Sequence, residues 1–492
     1  MSSSGPVRVR FAPSPTGFLH VGSARTALFN WLFARHVGGT YLLRIEDTDE
    51  ERNRKDWSDG IVTTLDWLGI PPDEPPVYQS SRVEEHHAAA DVLWDAGYLY
   101  ACDCSREQVT ERTAENKIPG YDGYCRDRNV SREQNALRFR VPESGTTVVH
   151  DLIHGDVEFP LSAIEDFVVV KSNGGPLFAL ANVVDDREMG ITHVIRGDDL
   201  LPTTPKTQLL WEAFNQIDEE SVIPLPEYAH LPMLVDEHRK KISKRGQSVS
   251  VEDYRAAGYL ADGFANYLAL LGWGHPEGVE VFDIDDVVQF FELANVHNAP
   301  AFFDVAKLRH VNGEHLRALD TGKFIALATP WLKAEEAVLD GSVLEGPIFQ
   351  GGHRWPTEHF DPQVFQRIAP FVQERVATLA EVPPMIDFLF LDQPMMVAED
   401  WDSIARDDAA KSILDAAITA YESCQFEPEA LHAATNSVAE SVGKKLAKAQ
   451  APIRVAITGK RVGPPLFESM ALLGREKVLQ RLRHARSRLD AP

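Results

Sequence analysis

The chain has 492 residues, too many for one hydrophobic core, so about three domains are expected. Its 49 Lys and Arg against 74 Asp and Glu give a net charge of -25, which excludes general coating of nucleic acid; any polyanion must be met by local basic patches. With no arginine-rich leader and no apolar run of about 18 residues, neither secretion nor a membrane span is expected, and a cytoplasmic protein is.

The first elements alternate as β-α-β-α. "VRVRF" from Val7 and "TYLLRIE" from Thr40 read as strands. Between them, "FLHVGSARTALFNWLFARHV" reads as a turn leading into a long amphipathic helix, with Gly22 and Ser23 supplying turn and N-cap. A second helix ends in "LDWLGI", completing one half of a Rossmann-like parallel sheet. A central parallel strand should be apolar on both faces, yet Arg8 and Arg10 interrupt the first strand, and Arg44 and Glu46 the second. An edge strand with its Arg side in water is one explanation. The other puts Arg10, Arg44 and later Arg196 of "HVIRGDD" on the ligand-binding rim of a doubly wound sheet, where charge is costly without a partner. A zwitterion with an extra carboxylate fits that rim.

The turn itself, "PSPTGFLHVGS", offers a glycine for close backbone approach and a helix N-terminus whose free N–H groups attract phosphate. His20 adds a directional donor. No Gly-Lys-Thr or Gly-Lys-Ser follows, so a Walker cradle is excluded. After the break "IPPDEPP", a segment to about Pro176 reads as an insertion. In it Cys102, Cys104 and Cys125 cluster while Cys424 stands apart, which suits a metal clip better than a disulfide framework. A second β-α half resumes with "LFALANVVDD" and "ITHVIRGDD" and reaches "RKKISKRG". Alone, "KISKR" is a solvated basic loop; beside a phosphate-binding turn it supplies mobile cations for a triphosphate. Beyond about Asn312 the spacing is helical, as in Phe365, Ile368, Val372, Val376 and Leu379, and in Ile413, Leu414, Ala417, Ile418 and Tyr421.

Together "HVGS" and "KISKR" resemble the His-Ile-Gly-His and Lys-Met-Ser-Lys-Ser motifs of class I aminoacyl-tRNA synthetases. "RFAPSPTGFLHVGSARTALFNW", "LLRIEDTDEER", "LANVVDD", "ITHVIRGDDLLPTTP" and "ALLGREK" narrow the resemblance to bacterial glutamyl-tRNA synthetases over most of the chain. The resemblance implies an α/β Rossmann-like catalytic domain in two halves, 1–85 and 178–235, with an inserted acceptor-binding α+β domain at 86–177. A stem-contact domain with the KISKR loop at 236–320 and an all-α anticodon-binding region at 321–492 complete it. It implies ATP-dependent activation of L-glutamate to glutamyl-adenylate and transfer to the 3'-terminal adenosine of tRNA(Glu), with Mg2+ accompanying ATP, in a monomer.

By the same resemblance His20, Lys241 and Lys244 are catalytic, and His20, Gly22, Ser23 and Lys244 hold ATP. Arg10, Ala12, Ser14, Glu46, Asn182 and Arg196 line the glutamate pocket. Bidentate pairing suits Arg10 and Arg196 to the two substrate carboxylates, and Glu46 to the ammonium. The nucleophilic α-carboxylate is ionised near pH 7, so activation needs positioning and charge stabilisation rather than a general base. Phe178 stands where many family members have Tyr, so a hydroxyl contact is missing. Cys102, Cys104 and Cys125, with Asp127 or Tyr121 as fourth ligand, have a spacing that resembles the zinc-binding members. From Lys444 to Pro492, twelve Lys and Arg against Glu468, Glu476 and Asp490 give +9. In the last helix Val478, Leu479, Leu482 and Leu489 turn inward and Arg481, Arg483, Arg486 and Arg488 surround the rest, a basic platform for tRNA. Arg481 and Arg483 are its expected contacts, with Arg375 matched to anticodon reading. A small-molecule nucleotidylyltransferase would not need the helical C-terminal region, and a glutaminyl-tRNA synthetase would carry a β-barrel there.

Overall fold

The computed structural model describes residues 5–48, 54–114, 120–242, 250–333 and 355–490. The chain divides into two compact units, Met1–Glu252 with Phe264–Val305, and Asp253–Gly263 with Ala306–Pro492.

The first unit is built on a seven-stranded sheet in the order β3-β2-β1-β9-β10-β6-β7. Its strands are β1 (Arg8–Phe11), β2 (Thr40–Ile45), β3 (Val77–Tyr78), β6 (Thr146–Asp151), β7 (Gly155–Pro160), β9 (His193–Gly197) and β10 (Glu227–Leu231). All pairings are parallel except β6 with β7. The chain moves outward from β1 through β2 to β3, then returns to the other side of β1 as β9 and β10. The reversal between β1 and β9 opens a crevice at the carboxyl ends of the strands, where such sheets bind ligands. Because β1 is hydrogen-bonded on both sides, it is a central strand and its arginines are not wet edge residues.

Helix α1 (Val21–Val37) enters this crevice by its N-terminus. Its N-cap is His20, not Gly22 or Ser23; both of those lie in the first turn. The helix ends at Gly38 with φ 66°, and a Cβ on Gly39 would sit 2.6 Å from the Val7 carbonyl oxygen, so glycine is required where the chain turns into β2. The expected amphipathic pattern is overridden, since even Arg25 and Asn30 are buried. The segment Phe264–Val305 supplies the extra cover: the Phe29 and Phe291 rings meet at 5.2 Å, and His36 Nδ1 lies 2.8 Å from the Val288 carbonyl.

The expected insertion divides in two. Strands β4 (Leu99–Cys102), β5 (Ala136–Phe139) and β8 (Val168–Val170) make a separate antiparallel sheet whose apolar face packs on helices α5 (Phe178–Glu188) and α6 (Thr204–Ile217). The β6–β7 hairpin instead joins the main sheet, through the pairing of Asp151 with Tyr228 on β10.

The second unit is helical among its described residues. Helices Pro362–Gln373 and Ala410–Ser423 bury Phe365, Ile368, Val372, Ile413, Leu414, Ala417 and Tyr421 in one core, as their spacing requires. No helix among the described residues is long and apolar enough to cross a membrane.

Candidate active site

A cleft of about 510 Å³ lies at the crevice between β1 and β9. Arg10, Ala12, Ser14, His20, Gly22, Ser23, Glu46, Phe178, Asn182, Arg196 and Lys241 all line it, although they come from six separate stretches of chain. Lys244 lies outside the described residues.

At the helix end, His20 Nδ1 accepts the Gly22 N–H at 3.0 Å. A neutral imidazole in that position carries its hydrogen on Nε2, which makes it a donor. A Cβ on Gly22 would sit 3.3 Å from Nδ1, so the glycine lets the ring lie over the first turn. Lys241 Nζ stands 3.0 Å from Asp199 Oδ2 in an exposed pair, a weak attachment that an anionic ligand can replace.

Charge is arranged more tightly at the strand ends. Arg10 donates Nε and Nη2 to Asp186 at 3.0 and 3.2 Å. Arg44, fully buried, donates to the same carboxylate at 2.5 Å and to Glu46 Oε1 at 3.3 Å. Asn182 Nδ2 adds a second contact to Glu46 Oε1 at 3.1 Å. Burial works against the Asp186 charge, but Arg10 and Arg44 outweigh it and hold its pKa below the ordinary 3.8.

Arg196 differs. Its Nε donates to His230 Nε2 at 3.2 Å and its Nη2 to Thr204 Oγ1 at 2.8 Å, and no carboxylate pairs with it among the described residues. Burial and the neighbouring Arg10 push its pKa down to about 10. The side chains lining the cleft carry four positive charges, of Arg10, Arg25, Arg196 and Lys241, against three carboxylates, of Glu46, Asp198 and Asp199, while Arg44 and Asp186, outside the lining, cancel each other. One positive charge is left over, matching the charge of about -1 on glutamate near pH 7.

Several of these residues escaped the sequence reading. Asp186 was within a quoted motif but had no role; two acids inside an apolar helix were its signal. Asp185 beside it accepts from Gln79, Arg82 and His86 at 2.7, 2.7 and 2.9 Å and ties α5 to the segment after β3. Thr204 lies in "ITHVIRGDDLLPTTP" but had no role there, and His230 and Asp151 carried no pattern that marks them.

In the small sheet, one atom each of Cys102, Cys104 and Cys125 lies within 4.8 Å of the others. The Tyr121 hydroxyl sits 3.6 Å from Cys102 Sγ and accepts the Cys125 N–H at 2.6 Å. Asp127 instead turns away to Arg140 at 3.3 Å, with 87% of its side chain exposed, so the geometry gathers Tyr121 and not Asp127. Each sulfur has a guanidinium near it: Arg112 lies 3.5 Å from Cys104 and Arg128 3.3 Å from Cys125, while the charge of Arg138 favours the Cys102 thiolate. Burial opposes the Cys102 thiolate, yet Arg138 and its other donors bring its pKa below the usual 9.0. Burial and the neighbouring Cys125 push Cys104 up to about 11.

In the helical unit Arg375 is exposed and donates to the Phe371 carbonyl at 2.8 Å. Arg481 is not a surface residue. Only 1% exposed, it donates to the carbonyls of Ile457, Phe388 and Leu391 at 2.8, 2.8 and 2.5 Å, closing turns that would otherwise leave acceptors unpaired. Arg483 is exposed but pairs with Glu422 at 2.6 Å, and Arg486 pairs with Asp415 and Asp490. Arg483 and Arg486 are thus compensated within the unit, and Arg481 is committed to its interior.

The family of class I (E and Q) tRNA synthetase catalytic domains matches residues 6–310, and an anticodon binding domain matches residues 323–486. A glutamate–tRNA ligase of Thermobifida fusca is 48% identical over 493 aligned positions, covering 99% of this chain and 98% of that protein. One from Frankia casuarinae is 49% identical, covering 99% of each. The crystal structure of a glutamate tRNA ligase from Elizabethkingia meningosepticum in complex with its amino acid superposes with a TM-score of 0.80 at 28% identity, covering 99% of this chain and all of that one. The geometry of the cleft and these full-length likenesses agree: the chain belongs to the glutamate–tRNA ligases of the class I tRNA synthetases.

Proposed function

We propose that the cleft joins L-glutamate to ATP and then to tRNA(Glu). One observation carries the glutamate assignment: the buried guanidinium of Arg196 has no acidic partner among the described residues, in a pocket with one surplus positive charge. A substrate carboxylate on Arg196 completes the charge balance, and Nη1 of Arg10, outside its pair with Asp186, serves the second. Glu46 Oε2 takes the ammonium. In the first step an α-carboxylate oxygen bonds to the α-phosphorus as the bond to the β-phosphate breaks and diphosphate leaves. In the second a terminal adenosine hydroxyl oxygen bonds to the glutamyl carbonyl carbon as the bond from that carbon to the phosphate oxygen breaks, and AMP departs with the hydroxyl proton on its phosphate. The N–H groups of α1, His20 Nε2 and the lysines of the KISKR segment supply donors to the phosphates. Mg2+ accompanying ATP would supply charge neutralisation at the diphosphate. Ala12, Ser14, Gly22 and Ser23 shape the backbone around these groups, and Lys244 is read as the second closing lysine on sequence alone.

The three sulfurs and the Tyr121 hydroxyl fit the tetrahedral preference of zinc. Cys102, Cys104, Cys125 and Tyr121 would hold it, and its binding free energy would be folding free energy for the small sheet. The substrates of the reaction put its work in the cytoplasm.

Charging assays with glutamate, glutamine and aspartate against unfractionated bacterial tRNA test the reading directly. Attachment of glutamate alone is expected, with Lys244→Ala slower by about two to three decades. A protein that charges aspartate or glutamine and not glutamate would overturn it.

A further inference from the structure

Arg196 lines the cleft, but the side chains that hold it do not. We propose that Asp151, His230 and Thr204 form a positioning relay that aims Arg196 at the substrate carboxylate, and that it works only while the His230 imidazole is neutral. The inference rests on the reading of the cleft as a glutamate site.

The geometry begins at Asp151. Its Oδ1 accepts the N–H groups of Ile153 and His154, both at 2.9 Å, and its Oδ2 accepts the His230 N–H at 3.0 Å and the His230 Nδ1 hydrogen at 2.7 Å. Four donors fix the carboxylate, and both side chains are fully buried. With hydrogen on Nδ1, the Nε2 lone pair of the neutral ring faces Arg196 Nε at 3.2 Å and Thr204 Oγ1 at 2.9 Å. A guanidinium N–H can only donate, so Arg196 Nε needs that lone pair. Thr204 Oγ1 takes Arg196 Nη2 at 2.8 Å. The guanidinium is thereby fixed at two nitrogens by neutral acceptors, and its charge is left to the cleft. An acidic partner in the same place would have offset the charge of Arg196 and weakened its attraction for substrate.

Protonating His230 would take away the acceptor of Arg196 Nε and set a second cation beside it. The groups facing the ring are Asp151 from β6, Arg196 and Asp198 from β9 and the turn after it, Tyr228 from its own strand, and His154, whose Nε2 lies 3.1 Å from the His230 carbonyl; α6 contributes the uncharged Thr204. Burial outweighs Asp151 and keeps the imidazole pKa below 6.5, so the ring is neutral at neutral pH. The relay also accounts for the β6–β7 hairpin joining the main sheet, because the residue paired across to β10 is Asp151 itself.

Steady-state charging of tRNA with glutamate, following KM for glutamate, KM for ATP and kcat, tests the relay. His230→Asn keeps an N–H for Asp151 but has no acceptor at the Nε2 position; glutamate KM should rise about tenfold or more with ATP KM little changed. His230→Gln brings an amide oxygen near the Nε2 position and should recover most of that loss. In the wild type, glutamate KM should climb as pH falls through the lowered imidazole pKa, and that climb should be absent from His230→Gln. Should the Asn variant fail to fold, the Gln variant and the two pH profiles decide. Unchanged glutamate KM in His230→Asn, an equal loss in kcat and both KM values, or an acid climb that persists in His230→Gln would overturn the relay. A wild-type protein that charges no glutamate would instead overturn the reading of the cleft.

Discussion

Asp186 holds two guanidiniums on one carboxylate, in a place with almost no access to water. Replacing it by Asn keeps the shape but leaves Arg10 without a counter-charge and Arg44 with only Glu46. Breaking a buried pair from one side costs about 3–5 kcal/mol, far more than the pair itself contributes over an apolar substitute. Asp186→Asn should therefore weaken the catalytic unit by about that amount, measured by hydrogen exchange at the β1 and β2 amides. The pH dependence has a definite sign. The folded pKa of Asp186 lies below its unfolded value, so its contribution is complete above about pH 4 and is lost as pH falls through the folded pKa. The difference between wild type and variant should shrink in acid. A constant difference down to low pH would assign the cost to packing instead.

The sheet of β4, β5 and β8 is small, and its sulfur-bearing edge gathers three cysteines and three arginines. Like groups at this spacing are stabilised by a cation between them, and guanidiniums outside the sulfurs favour the thiolate form that a metal needs. Protein purified without added metal should hold one zinc per chain by elemental analysis. Tyr121→Phe should lower that occupancy, whereas Asp127→Ala should leave it unchanged, because Asp127 faces Arg140 and water. The reverse ranking would show that the loop rearranges to bring Asp127 in. Helix α1 shows how one residue serves two levels: His20 caps the helix through Nδ1 and lines the cleft.

A chain with a net charge of -25 must concentrate its RNA-binding charge, and the helical unit does this less freely than its tail composition suggests. Arg481 supports three carbonyls inside the unit, and Arg483 and Arg486 are engaged with Glu422, Asp415 and Asp490. Removing Arg481 exposes a set of buried acceptors, each worth about 1–3 kcal/mol. Arg481→Gln should lower the stability of this unit while leaving the salt dependence of tRNA binding intact. Arg483→Gln should change that slope by less than about one unit, since its charge is already shared. Arg375→Gln should relax discrimination between glutamate and glutamine tRNAs at nearly constant slope. Titrations of tRNA at several salt concentrations separate these outcomes, and a slope that falls by a full unit in Arg481→Gln would return that residue to the RNA surface.

The sequence alone determined the β-α order of the catalytic half, the helical character of the C-terminal region, the turn into α1 and most of the residues lining the cleft. Those features rest on local pattern: period, turn chemistry, and charge placed where a strand should be apolar. Arg10, Glu46 and Arg196 were legible because a buried charge stands out against its neighbours, whereas Ala12, Ser14 and Asn182 followed only from the family resemblance. Tertiary structure decided what each charge meets. Asp186, from a strand-distant helix, occupies Arg10 and Arg44 and so singles out Arg196, and Asp151 and His230 reach Arg196 from two other strands. It also decided that Arg481 faces inward, because its carbonyl partners lie from 24 to 93 positions away. Helical spacing marks a face only by the polarity of its own residues, and an arginine that satisfies buried carbonyls has the same letter as one that meets solvent.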